Sequence, residues 1–267
     1  MKILSFLVKP ILDIVAWVLK LSRHNIYYLV AHPLRKEIKE ILPFVFAHDH
    51  IERACFLAKK YAPNQEGIIL DVGGGQSTTA VVFAENFPKH SIYIFEPIQS
   101  NFQVIENSPK RTALWKIINK ACGSQIGTTH INIANRVTAS SLLDLDATQV
   151  EGDYNNVLQR QRTEIIQLTT LDSEIPIEKI IDILKLDVQG FELEVLKGAG
   201  KILPNTKIVV LEINNHQGFV NAPTYFEIDT FMRSNNFELH DMLPGHLDNG
   251  KLWDWDTIYV NRAFINK

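Results

Sequence analysis

Cysteine is scarce in this chain. Only Cys55 and Cys122 occur in 267 residues, far apart and in unlike contexts, which excludes a disulfide framework and a cysteine-rich zinc site and fits a reducing, cytoplasmic setting. None of the nine histidines forms a His-x-x-x-His pair in a helical context, so a histidine-based metal site is without support. Neither sign of charge dominates. With 27 Lys and Arg against 30 Asp and Glu, the net charge of −3 gives no electrostatic case for a nucleic-acid partner. There is no internal repeat and no low-complexity tract.

A long uninterrupted apolar run is also missing. Residues 1–23 are strongly apolar, but Lys9, Pro10 and Asp13 break the run, and a spanning helix needs about 20 nearly uninterrupted apolar residues. At about 100° per residue, Lys2, Ser5, Lys9, Asp13, Ala16, Lys20 and Arg23 share one narrow face, which predicts an amphipathic helix. Two readings stand for it. It lies at a membrane surface, with Trp17 at the interface and the protein peripheral to the inner face, or it packs against protein. Helix-like text continues to Tyr61, with apolar spacing through Ile51, Ala54, Cys55, Leu57 and Ala58. Residues 1–60 therefore read as a helical segment preceding a main domain over 61–267.

What the chain does have is a core. Apolar residues make up 46%, the share of a folded globular protein. After Gly67, β-rich runs alternate with helical stretches, the pattern of an α/β doubly wound sheet. The expected strands are 67–72, 91–95, 115–121, 180–188, 207–213, 238–242 and 257–261. The last two are joined through Pro244-Gly245 and Asp248-Asn249-Gly250, too short for a helical crossover, so the final strand is expected to be antiparallel. Between Gly123 and Leu168, alternation at Ile131/Ile133 and Ile165/Leu168 suggests extra strands or a loop over the site.

The first expected strand ends at Asp71 and enters Gly73-Gly74-Gly75, where backbone passes close to a ligand. A dinucleotide fingerprint needs Gly or Ala at Thr78 and an apolar residue at Asp71. A carboxylate there suits a cationic ligand, such as the α-amino group of S-adenosylmethionine. Glu96 closes the second strand about 25 residues on, near the spacing at which an acid takes ribose hydroxyls. Ala121-Cys122-Gly123 supplies small residues for a flat ring. Asp71, Gly73, Gly75, Glu96, Ala121 and Cys122 are thus the expected cofactor residues.

These blocks, with Ser140-Ser141-Leu142, Thr170-Leu171-Asp172 and the run LKLDVQGFELEVLKGA over 184–199, resemble the FkbM-type S-adenosylmethionine-dependent methyltransferases across residues 68–213. The resemblance implies a Rossmann-like class I methyltransferase sheet of about seven strands and O-methylation of a sugar, glycan or related small molecule. Two positions depart from the family pattern: Gly74 where it commonly has Asn, and Gln189 where it often has Glu.

Methyl transfer needs an acceptor oxygen aligned with the sulfonium methyl and a group to take its proton. Asp187, Glu212 and His216, at and just beyond strand ends, are the candidate catalytic residues. Asp187 also reads as a cap on the following helix, and Glu192 as an acid offsetting that helix's dipole. Asp187 with Glu212 would be the place for a divalent cation. Lys185 reads as a charge partner. Trp253 and Trp255 read as packing, or as a platform for a sugar ring with Asp254 or Asp256. A nicotinamide-dependent reductase is the alternative enzyme class, weakened by Thr78, Asp71 and the lack of a Tyr-x-x-x-Lys pair; a non-catalytic, membrane-recruited binding protein is the third reading.

Overall fold

A computed structural model describes residues 50–61, 66–146, 157–215, 218–245, 247, 248 and 251–265. The amphipathic stretch 1–23 and His216 lie outside them. Among the described residues no helix is long and apolar enough to cross a membrane.

The centre is a seven-stranded sheet. Its strands are β1 (Ile68–Val72), β2 (Ser91–Phe95), β3 (Trp115–Ile118), β7 (Ile181–Leu186), β8 (Thr206–Asn214), β9 (Phe237–Pro244) and β12 (Asp254–Asn261), in the order β3-β2-β1-β7-β8-β12-β9. The strands from β3 to β8 run parallel, whereas β12 is antiparallel to both β8 and β9. The last strand thus inserts beside β8 and leaves β9 at the edge. A short ribbon of β10 (Leu247–Asp248) and β11 (Lys251–Leu252) lies in the link between β9 and β12. This is the Rossmann-like class I methyltransferase arrangement.

Every residue of β1 and β7 is buried, as parallel strands covered on both faces must be. On one face Leu70, Val72, Leu184, Leu186, Val209 and Leu211 pack beneath helices α4 (Glu192–Lys197) and α5 (Tyr225–Ser234). The opposite face presents Ile69, Ile183, Ile208, Val210 and Ile258 to α1 (His50–Tyr61), α2 (Thr78–Asn86) and α3 (Gln99–Glu106). Helix α1 buries Ile51, Ala54, Cys55, Leu57 and Ala58, the five positions its spacing singled out. The helical lead-in therefore ends in a helix that belongs to the core.

The insertion forms a second sheet, from β4 (Ala121–Cys122), β5 (Gly127–Ala134) and β6 (Arg160–Thr169), in the order β4-β6-β5. Two expectations are corrected here. The expected strand 115–121 divides at Asn119-Lys120, and β4 leaves the main sheet to pair with β6; the Asn119 side chain donates to the carbonyls of Glu96 (2.8 Å) and Pro97 (3.1 Å), a capping role that continued pairing would forbid. On β6 it is Ile166 that shares the buried face with Leu168, while Ile165 is exposed, since residues an odd number apart point to opposite faces.

Candidate active site

The carboxyl ends of β1, β2, β4 and β7 surround an open cavity of about 230 Å³. Its shape begins with the glycine turn. Gly73 (φ 83°) and Gly75 (φ 53°) both use left-handed backbone, which only glycine adopts without cost. A Cβ on Gly73 would overlap the carbonyl oxygen of Asp187, whereas one on Gly75 would meet nothing nearer than Thr138 at 4.0 Å. Gly73 lets the turn press against β7, and Gly75 leaves the cavity open.

The turn is pinned from two sides. Gly73 and Gly74 donate to the Phe95 carbonyl, each at 3.0 Å. Glu96 then accepts from the Gly75 amide through Oε2 and from the Ile98 amide through Oε1, both at 2.8 Å. Burial pushes its carboxyl up to about 7 against the pull of those amides and of Asn101. Glu96 also lines the cavity, and a carboxylate with two amide bonds keeps lone pairs with which to accept from a hydroxyl. The apolar wall comes from Ile98, Ala121, Ile131 and Leu142. Cys122 also lines the cavity; burial holds its thiol well above the usual range, so it serves as a small neutral surface.

Asp71 does not reach the wall. It is fully buried beneath the turn, and Lys185 Nζ stands 3.2 Å from its Oδ1. The same ammonium lies 3.4 Å from Asp187 and donates to the Gly73 carbonyl at 3.0 Å. Burial raises the Asp71 carboxyl, with Lys185 opposing. At Asp187 the balance is reversed: burial works upward, but Lys185 and the Gln189 amide outweigh it and hold the group low. Asp187 thus faces the cavity as an anion, its side chain 38% exposed, and is the carboxylate on hand for a cationic ligand group.

A second cavity of about 260 Å³ adjoins the first. It is polar, lined by Asp187, Gln189, Glu212, Asn214, Asp254, Arg136 and Thr138 among others, and shares Thr138, Asp187 and Gln189 with the cofactor-side cavity. The antiparallel register brings Asp254 opposite Asn214 and Asp256 opposite Glu212. Burial and the neighbouring charges of Asp187, Glu192, Asp254 and Asp256 push Glu212 well above the carboxylate range. Between Asp187 and Glu212 sits the Gln189 side chain, whose nitrogen donates to both, at 2.9 and 2.6 Å. A divalent cation does not fit a pair already bridged in this way.

Asp187 does not cap α4. The N-cap is Phe191, without a side-chain bond, and Glu192 holds the preceding turn instead, its Oε1 accepting from Val188 (3.1 Å) and Gly190 (3.2 Å). Trp253 is buried in a small cluster with Ala134, Ala139, Leu158 and Phe219, and Trp255 stands 5.9 Å from the Tyr225 ring, so both pack. Residues not anticipated from sequence are Gln189, Thr138 and Arg136 on the walls, and His50, which meets Asp256 at 2.9 Å. Gln189 had one visible signal, its departure from the family pattern two residues after Asp187. The others depend on elements that only folding brings together.

The Methyltransferase FkbM domain model matches residues 55–239. A curated relative, Methyltransferase 1 of Beauveria bassiana (strain ARSEF 2860), is 26% identical over 205 residues, covering 68% of this chain and 80% of its own. Among solved structures, magnesium protoporphyrin IX methyltransferase from Synechocystis PCC 6803 with bound SAM aligns at a TM-score of 0.42 and 9% identity, covering 79% of each chain. A Burkholderia thailandensis 1,6-didemethyltoxoflavin-N1-methyltransferase aligns at 0.39 and 8% identity, covering 90% of each.

Proposed function

Because this chain belongs to the FkbM methyltransferase family, we propose that it transfers the methyl group of S-adenosylmethionine to a hydroxyl on a sugar, glycan or related small molecule. The observation that carries this reading is the pair of adjoining cavities, one glycine-floored with a partly apolar wall, the other polar, with Asp187 on both walls. A cofactor and an acceptor in these two spaces meet at that carboxylate.

S-adenosylmethionine supplies a methyl group activated by its sulfonium. The protein's own residues do the remainder. Glu96 would receive the ribose hydroxyls on its remaining lone pairs, and Ile98, Ala121 and Leu142 would offer the adenine an apolar wall. Asp187, held ionised by Lys185, takes the α-amino group or orients the acceptor hydroxyl. Glu212, on the wall of the polar cavity, would receive the hydroxyl proton as the methyl group passes from sulfur to the acceptor oxygen and the sulfur–methyl bond breaks. His216 is a third acid/base candidate in the same stretch of sequence. A polar second cavity supports a hydroxylated acceptor.

Calorimetric titration with S-adenosylmethionine and with NADH, followed by methyl-transfer assays over a panel of saccharides, tests the reading. Binding of NADH without a response to S-adenosylmethionine would overturn it. The patterning of residues 1–23 supports a further reading, contact with the inner face of a membrane. Removal of that stretch then abolishes co-sedimentation with anionic liposomes, and unchanged partitioning would refute it.

A further inference from the structure

Gln189 has an unusual setting. It is a non-glycine residue in left-handed backbone, φ 54°, and its carbonyl is fixed by the Ser141 hydroxyl, which donates to it at 2.7 Å. The side chain emerges between the two cavities and lines both. An amide nitrogen carries two hydrogens. Here its two contacts are carboxylates from different strands, Asp187 Oδ1 at 2.9 Å and Glu212 Oε2 at 2.6 Å.

Two carboxylates converging in a pocket repel each other unless something positive or hydrogen-bearing stands between them. A divalent cation is one solution, and it demands ligand oxygens converging on an open position. In this pocket the amide nitrogen fills that position, and Lys185 supplies charge to Asp187 from behind. Among the described residues no group of three or more His, Cys, Asp and Glu is suited to a cation. We infer that Gln189 is a positioning residue that takes the place of a divalent cation, holding Asp187 and Glu212 together so that the acceptor pocket is organised without metal.

Its place in the reaction rests on reading the second cavity as the acceptor's, but the test needs no acceptor, so the two fail separately. Full-length native protein and Gln189→Glu are titrated with Mn²⁺ and followed by electron paramagnetic resonance. A third carboxylate in place of the amide should create a cation site, and Gln189→Glu should bind Mn²⁺ at least about tenfold more tightly than native. Equal affinity in the two proteins, or a single tight Mn²⁺ site in native protein that Asp187→Asn removes, would overturn the inference. Should Gln189→Glu not fold, Gln189→Met keeps the length and deletes the donors. Its thermal midpoint should fall and be recovered by Mn²⁺; a midpoint that does not fall, or that Mn²⁺ does not recover, counts against the amide's role.

Discussion

Lys185 stands directly beside Asp71 in the parallel register of β7 against β1, with its Nζ 3.2 Å from the Asp71 carboxylate. The pair lies wholly inside the protein, and the same ammonium ties the Gly73 carbonyl and Asp187 into one unit. Removing one partner of a buried pair strands the other charge. Lys185→Met should therefore cost about 3–5 kcal/mol in urea unfolding, and adding Asp71→Asn should recover much of that loss. A Lys185→Met protein as stable as the native one would show that the pair does not brace the turn.

Glu96→Gln keeps the shape and changes the hydrogen count. Glutamine offers one accepting oxygen, so its amide hydrogens must face either the Gly75 or the Ile98 amide. Leaving a buried N–H unmet costs about 1–3 kcal/mol, and the ribose diol loses an acceptor as well. S-adenosylhomocysteine should bind roughly 10 to 100 times more weakly by calorimetry; unchanged affinity would remove Glu96 from the cofactor site.

Glu192 gives a pH prediction. Burial pushes its carboxyl up to about 7 from an ordinary 4.5, against the opposing backbone amides. Between those values the folded chain holds a proton that the unfolded chain has released, so stability falls as pH rises through this window. A glutamine side chain at this position would keep one oxygen for the Val188 and Gly190 amides without titrating. Glu192→Gln should thus match native stability near pH 4.5 and exceed it by roughly 2–3 kcal/mol at pH 8, read from denaturant midpoints across the range. A difference that does not change with pH would contradict the buried carboxylic acid.

The two glycines of the turn should respond differently to alanine. Gly73→Ala drives a methyl into the Asp187 carbonyl, backbone that cannot swing aside, and should lower stability by about 3 kcal/mol or more. Gly75→Ala meets only the Thr138 methyl, at 4.0 Å, and should cost only the left-handed backbone penalty, about 1 kcal/mol. Thermal melts of the two variants compare them directly, and equal losses would refute the packing assigned to Gly73.

Some of this was written locally. The apolar spacing of α1, the uniform burial of β1 and β7 and the short link before the last strand are properties of neighbouring residues, and they specified the layers and the antiparallel final strand. The Asp71 to Gly75 turn and the run about Asp187 marked where the cavity would open. The sequence could not say that Lys185 would neutralise Asp71, because that depends on which residue of one strand stands beside which of another. Nor could it show β4 leaving the main sheet to pair with β6, or Glu192 rather than Asp187 satisfying the turn. Gln189 is the clearest case. In sequence it is a departure from a pattern, and it becomes a bridge only when the ends of β7 and β8 bring Asp187 and Glu212 within reach of one amide. Periodicity is carried by residues near in sequence and so determined the fold; charge pairing is carried by residues distant in sequence, and only the tertiary structure decided it.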